Sequence, residues 1–178
     1  TMITRDIESI KLFRHKFKDI VIKPLYGNGG EGVFRVKSGD ENFNSIVEIF
    51  LKQYKEQFVV QEYLSDVRKG DKRIILIDGE TVGAVNRVPA AGDSRSNMHA
   101  GGTPKKTTLT KNDHLICKTI SPFLKEKGLF FVGIDIIGKF ITEINVTSPT
   151  GIREINKFNK IKIERIFWDK LEKKLFNH

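Results

Sequence analysis

Apolar side chains recur along the chain at two periods, near three to four and near two, and the changes of period divide it into elements. Ile7, Ile10, Phe13 and Phe17 follow Thr4 at helical spacing, which predicts a helix capped by the threonine hydroxyl. Residues 19–24 are β-branched and end in Pro24, so a short strand is expected there. A second strand is expected at 33–36, after a run rich in glycine. Between residues 44 and 56, Ile46, Val47, Phe50, Leu51 and Tyr54 form one helical stripe. Residues 58–64 read as strand and run into a charged link at 66–71.

Two hairpins follow from the same reasoning. Residues 73–77 and 81–88 flank Asp78-Gly79-Glu80, and Asp-Gly is a strong hairpin signal. Residues 130–137 and 140–146 flank the Gly138-Lys139 turn. Residues 89–106 between them are small, polar and glycine-containing. An ordered loop of that length is usually functional. Thr110 and Asp113 suggest a weak capping box opening a helix to about residue 127, which Pro122 is expected to bend or interrupt. A last helix is expected from Ile163, Ile166, Phe167, Leu171 and Leu175. The pattern as a whole is α+β with mainly antiparallel strands.

Composition narrows the class. With 178 residues the chain suffices for one domain or two small lobes, and 39% apolar with 30% charged residues is the make-up of a folded protein. No apolar run approaches the ~20 residues that cross a bilayer, and no signal peptide is recognisable. A cytoplasmic address is therefore expected. Cys117 is the sole cysteine; its helical, apolar surroundings favour a buried, inert thiol over a nucleophile, and no internal disulfide can form. Thr1 stands where an initiator methionine would, so the chain is expected to be a piece of a longer protein. The net charge of +9, of which residues 151–178 supply +4 with eight basic against four acidic residues, attracts polyanions, whether nucleic acid or nucleotide phosphates. A dedicated nucleic-acid binder is disfavoured by the lack of a zinc pattern or of paired aromatics in a basic strand.

Three places promise chemistry. Gly27, Asn28, Gly29, Gly30 and Gly32 form a loop whose backbone can approach a bulky anion, and Lys23 just upstream offers a point charge to the same phosphates. A plain hairpin turn beside a solvated lysine is the alternative. In residues 142–146, strand periodicity puts Glu143 and Asn145 on one face, and Asp135 lies in the partner strand. Two carboxylates and an amide oxygen suit Mg²⁺; the alternative is an ordinary polar sheet edge. Arg73 and Arg87 sit at the outer ends of the first hairpin, next to the long loop with Arg95, Asn97 and His99. Guanidinium forks take carboxylate or phosphate, and a glycine-bearing loop beside them suits a lid. Each arginine taken singly also reads as a surface residue, and His99 as a plain loop residue.

These residues fall within longer stretches that closely resemble the bacterial glutathione synthetases of the ATP-grasp superfamily. The stretches are Ile22-Lys23-Pro24-Leu25-Tyr26-Gly27-Asn28-Gly29-Gly30, Lys69-Gly70-Asp71-Lys72-Arg73, residues 126–135 ending in Val132-Gly133-Ile134-Asp135, and Thr142-Glu143-Ile144-Asn145-Val146-Thr147-Ser148-Pro149. The resemblance implies an ATP-grasp fold, with a small lobe at 1–60 bearing the glycine loop and a large lobe at 61–178 bearing the metal site, lid and C-terminal helix. It implies an ATP-dependent ligase that phosphorylates γ-glutamylcysteine and joins it to glycine, with Mg²⁺, or Mn²⁺ in its place. By resemblance Lys23 and residues 27–32 meet the phosphates, and Gln61, Glu62, Tyr63 and Leu64 hold the adenine. Asp71 is a nucleotide-side acid, Arg73 and Arg87 flank the reacting centre, and Asp135, Glu143 and Asn145 hold the metal. Ser148, Pro149, Thr150 and Gly151 meet the peptide, together with the lid residues Arg95, Asn97, Gly101 and Gly102.

The resemblance also implies a homo-oligomer for the complete enzyme. An N-terminal domain of the family is absent from this sequence, so the chain by itself is expected not to make glutathione. Thr103 stands where many relatives carry an arginine. Arg95-Ser96-Asn97-Met98-His99 also resembles the lid of ligases that add glutamate to a protein or peptide, which leaves that acceptor as an alternative. The other alternative is a non-catalytic, basic nucleic-acid-binding module.

Overall fold

A computed structural model describes residues 1–27, 29–93, 95–98 and 101–176. Its first sheet has four antiparallel strands in the order β1-β4-β2-β3, from Met2–Thr4 (β1), Ile20–Pro24 (β2), Phe34–Val36 (β3) and Phe58–Glu62 (β4). Helices α1 (Ile7–Phe17) and α2 (Phe43–Gln53) connect these strands. The two helices bury Ile10, Val47 and Phe50 with Ile20, Ile22, Phe58 and Val60 of the strands. Phe50 packs against Phe58 at 5.1 Å between ring centroids, within the range where aromatic pairs attract.

The second sheet has five antiparallel strands in the order β7-β6-β5-β8-β9. These are β5 (Asp71–Ile77), β6 (Glu80–Val88), β7 (Thr103–Lys106), β8 (Phe131–Ile137) and β9 (Phe140–Asn145). The central strand β5 is apolar on both faces because each is covered. Ile74 and Leu76 pack towards helix α3 (Lys111–Glu126), with Cys117 and Leu124. Ile75 and Ile77 pack with Ile155 of α4 (Ile152–Asn159) and Ile163 of α5 (Ile163–Phe176). Strand alternation puts Asp71 and Arg73 on the second of these faces, beyond the end of the apolar cluster.

The structure revises several local expectations. Thr4 does not cap α1: it ends β1, opposite Phe58, and Asp6 caps the helix by accepting from the Ser9 amide at 2.8 Å. The threonine hydroxyl instead accepts from the Asp6 amide. The last four residues of the expected long loop form β7, an edge strand paired with Val85–Val88. Its Pro104, Lys105 and Lys106 suit a sheet edge and give no apolar alternation to read. Pro122 does not interrupt α3, which runs through it as one helix. The charged link at 66–71 is a 3-10 turn over Ser65–Lys69, and Asp71 already belongs to β5. Helix α4 was not expected from the sequence pattern.

Candidate functional site

Register brings the charged residues together. Across the second sheet Asp71 stands opposite Arg87, Arg73 opposite Asp135, Asp135 opposite Glu143, and Gly133 opposite Asn145. The β8–β9 register shifts between Asp135 and Ile136, where Ile136 pairs with Ile141 and Asp135 with Glu143. Thr142 is the extra residue of this bulge, and its hydroxyl donates to the Asp135 carbonyl at 3.2 Å. A bulge re-aims the residues beyond it, and here it sets Glu143 and Asn145 beside Asp135, the grouping that the periodicity of 142–146 suggested.

The inner part of the site is a buried cluster of two acids and two arginines. Arg73 grips Asp135 with a fork, through Nε on Oδ1 and Nη2 on Oδ2, the latter at 2.9 Å. Arg87 reaches both acids, Asp71 Oδ2 at 2.5 Å and Asp135 Oδ2 at 2.9 Å. Asp135 and Arg87 are 1% and 2% exposed, so each charge survives burial only through its partners. Burial alone would push the Asp135 carboxyl up, but the Arg73 fork and the Arg87 charge outweigh it and hold it below the ordinary value. At Asp71, burial and the neighbouring Asp135 charge prevail over Arg87, and its carboxyl is pushed up to about 6. Its Oδ2 also accepts from the Ser96 hydroxyl at 2.7 Å, while its buried Oδ1 has no hydrogen-bond partner.

The outer part opens between the two sheets. Lys23 Nζ, from β2, donates to Glu143 Oε1 of β9 at 2.8 Å, tying one sheet to the other. Asn145 donates through Nδ2 to the Gly133 carbonyl at 3.2 Å, so its amide oxygen is the atom left for another partner. Two adjoining cavities share Lys23, Gln61, Asn97 and Glu143 on their walls. The smaller, of about 330 Å³, is lined by Glu62, Tyr63, Leu64 and Asp71 and by apolar Val21, Val67 and Phe140. The larger, of about 870 Å³, is lined by the glycine loop at Gly27, Gly29 and Gly30, by Arg73 and Arg87, and by Ser148 and Thr150. Pro149 and Gly151 line a third cavity beside Met98.

Most residues singled out by sequence therefore stand around one cleft. Asn28 and His99 lie outside the described residues. Gly101 and Gly102 do not line these three cavities; they close a tight turn, with Gly102 donating to the Asn97 carbonyl at 3.0 Å and Gly101 to that of Met98 at 3.1 Å. Ser96 and Thr142 lie within the stretches the sequence singles out, but no role for their hydroxyls is legible until register is known. Among the described residues no three His, Cys, Asp or Glu side chains gather as a metal site. Three donors are reached only by adding the Asn145 amide to Asp135 and Glu143. The chemistry of this all-oxygen set suits a hard divalent cation, with Glu143 and Asn145 on the cavity wall and Asp135 buried behind them on its two arginines.

Two antiparallel sheets facing each other across a glycine loop and an oxygen-rich strand end define the ATP-grasp class of folds. The chain superposes with a TM-score of 0.67 on the ATP-grasp ligase PsnB complexed with a minimal precursor, Mg and ADP, covering 96% of this chain and 50% of that one at 18% identity. The D-alanine–D-alanine ligase of Bacillus anthracis matches with a TM-score of 0.55 over 77% of this chain and 46% of that one at 15% identity. Within this class the chain belongs to the prokaryotic glutathione synthetase family, whose ATP-grasp domain model matches residues 1–160. It is 57% identical over 98% of its length to the glutathione synthetase of Agrobacterium fabrum and covers 54% of that protein. It is 56% identical over 97% of its length to that of Brucella melitensis, covering 55% of it. The chain thus spans about half the length of these curated relatives.

Proposed function

We propose that the chain is the catalytic ATP-grasp part of a glutathione synthetase, with residues 1–60 as the small lobe and 61–178 as the large one. The observation that supports this best is the convergence of Lys23, Arg73, Arg87, Glu143 and Asn145 around a single cleft, with Asp135 buried directly behind them, in a chain of that family. In this reading the smaller cavity takes the adenine, with backbone groups of Glu62 and Leu64 at its edge and Asp71 on the nucleotide side. The phosphates lie under residues 27–32 beside Lys23. Asp135, Glu143 and Asn145 hold Mg²⁺, or Mn²⁺, which when bound neutralises phosphate oxygens and so favours transfer.

The reaction then needs positioning and charge neutralisation without a covalent link to the protein. A carboxylate oxygen of γ-glutamylcysteine attacks the γ-phosphorus of ATP, the bond to the bridging oxygen breaks, and ADP leaves. The amine of glycine adds to the acyl phosphate carbon, loses a proton and expels phosphate. Arg73 and Arg87 line the cavity where charge builds up on the phosphoryl oxygens and then on the tetrahedral oxyanion. The loop at 90–102, with Arg95, Asn97, Gly101 and Gly102, shields the acyl phosphate from water. Residues 148–151 receive the peptide.

The acceptor is the point to test. A full-length protein carrying this chain, given Mg-ATP and γ-glutamylcysteine, is expected to incorporate labelled glycine and not labelled glutamate. Incorporation of glutamate in preference to glycine would transfer the chain to the ligases whose lid residues 95–99 resemble.

A further inference from the structure

Residues 95–98 of the long loop are fastened to the site by a side chain that no role yet accounts for. Ser96 is a small polar residue, yet it is 4% exposed, and its hydroxyl donates to Asp71 Oδ2 at 2.7 Å. That same oxygen accepts from Arg87, which in turn reaches Asp135. A continuous chain of hydrogen bonds therefore runs from the loop through Asp71 and Arg87 to the acid at the proposed metal site. The neighbours of Ser96 in sequence face the ligand space: Arg95 lines the smaller cavity, and Asn97 lines both.

The backbone around Ser96 is shaped to keep it there. The loop returns so closely that a side chain on Gly102 would put its Cβ 1.9 Å from the Ser96 carbonyl oxygen, so only glycine closes this turn. Upstream, Arg68 donates to the Asp93 carbonyl at 2.5 Å and Arg95 forks onto the Asp93 carboxylate. On the far side Asn97 lies against the glycine loop, with its Oδ1 2.9 Å from where a Cβ on Gly30 would stand. Holding Ser96 therefore holds Arg95 and Asn97 at the cleft.

We propose that Ser96 is a positioning residue: its hydroxyl latches residues 95–98 onto Asp71, and so places Arg95 and Asn97 over the nucleotide while Asp71 holds Arg87. The placing of the nucleotide rests on the function proposed above; the latch itself does not. The latch is one buried hydrogen bond to a charged group, so its removal loosens residues 95–98 without unfolding the sheet.

The test is amide hydrogen exchange on the chain without ligand, read by mass spectrometry at Gly101 and Gly102, whose amides close the turn. Ser96→Ala is expected to speed their exchange roughly fivefold to tenfold, and Ser96→Thr, which keeps the hydroxyl, to restore most of the protection. Gly102→Ala should speed exchange elsewhere in the same turn by a different route, through the clash with Ser96. Exchange in Ser96→Ala within twofold of wild type, or equal loss in the alanine and threonine variants, would overturn the latch. A second readout is Mg-ATP dissociation, expected to be severalfold faster in Ser96→Ala and near wild type in Ser96→Thr. A wild-type chain that fails to bind Mg-ATP would count against the functional reading, while the exchange result would still decide the latch.

Discussion

Two kinds of charge pair meet at the cleft, and magnitudes separate what they do. Asp135 lies between two guanidinium groups with 1% of its surface exposed. Removing one member of such a group leaves an uncompensated buried charge and costs ~3–5 kcal/mol. Asp135→Asn is accordingly expected to lower the unfolding free energy by about 3 kcal/mol in urea titrations, whatever it does to metal binding. Lys23 and Glu143 form the opposite case, with side chains 17% and 41% exposed. A pair open to water contributes ~0–1 kcal/mol. Lys23→Met should therefore leave the urea midpoint almost unchanged, while Mg-ATP affinity measured by calorimetry falls tenfold or more. Unchanged affinity in the folded variant would remove Lys23 from the phosphate site.

Helix α3 shows how a local signal in the sequence becomes an anchor for the sheet. Thr110 caps it by accepting from the Asp113 amide, and Asp113 returns the bond to the Thr110 amide at 2.8 Å, a complete capping box. Asp113 also accepts from Lys72 of β5, tying the helix start to the strand that carries Asp71 and Arg73. Thr110→Ala is expected to cost about 1 kcal/mol in thermal or urea unfolding. Burial pushes the Asp113 carboxyl up, but the bonds from Lys72 and Thr110 outweigh it and hold it below its ordinary value. A depressed carboxyl stabilises the fold above its unfolded pKa, near 4, and the contribution is lost as the pH falls through the lower folded value. The stability gap between wild type and Asp113→Asn should therefore be full at pH 7 and shrink below about pH 4. A gap that stays constant down to pH 2.5 would show that the charge plays no part.

Elements of this kind were legible in the sequence because their signals are local: the capping box, the Asp-Gly turn, the alternation of residues 142–146. The edge strand β7 was not, since Thr103, Pro104, Lys105 and Lys106 carry no alternating pattern and owe their conformation to Val85–Val88 alongside. Helix α4 was hidden for a different reason. Its start after Gly151, at φ 103°, has no capping side chain, and its apolar stripe of Ile152, Ile155 and Phe158, which packs in the core, spans only about two turns. Lys23, the glycine loop, Arg73, Arg87, Asp135, Glu143 and Asn145 stand out by residue type and spacing, and the family likeness adds residues 61–64, Asp71 and 148–151. What periodicity could not supply was that Arg73 and Arg87 are buried on carboxylates rather than displayed at a surface, which depends on pairing between strands far apart in sequence.

For the molecule as a whole, the cleft is where the two sheets communicate. Each has its own apolar core, and the Lys23–Glu143 pair joins them across the opening. A ligand that contacts the glycine loop of one sheet and the oxygen donors of the other binds only when both are in place, so it must stabilise the folded state by mass action. At a hundred times its dissociation constant that amounts to about 2.7 kcal/mol. Mg-ATP is therefore expected to raise the melting temperature by several degrees in a chain of this size, and ATP with the divalent ion chelated to raise it less. Glu143→Ala/Asn145→Ala keeps the buried Asp135 cluster and should melt near the wild-type temperature without ligand, yet lose most of the Mg-dependent part of the rise. The net charge of +9 supplies a control, because a purely electrostatic attraction of polyphosphate would fade between low and physiological salt and be indifferent to those two side chains. An equal Mg-ATP shift in wild type and double variant would detach Glu143 and Asn145 from the metal. A shift confined to low salt in both would leave the cleft as no more than a basic surface.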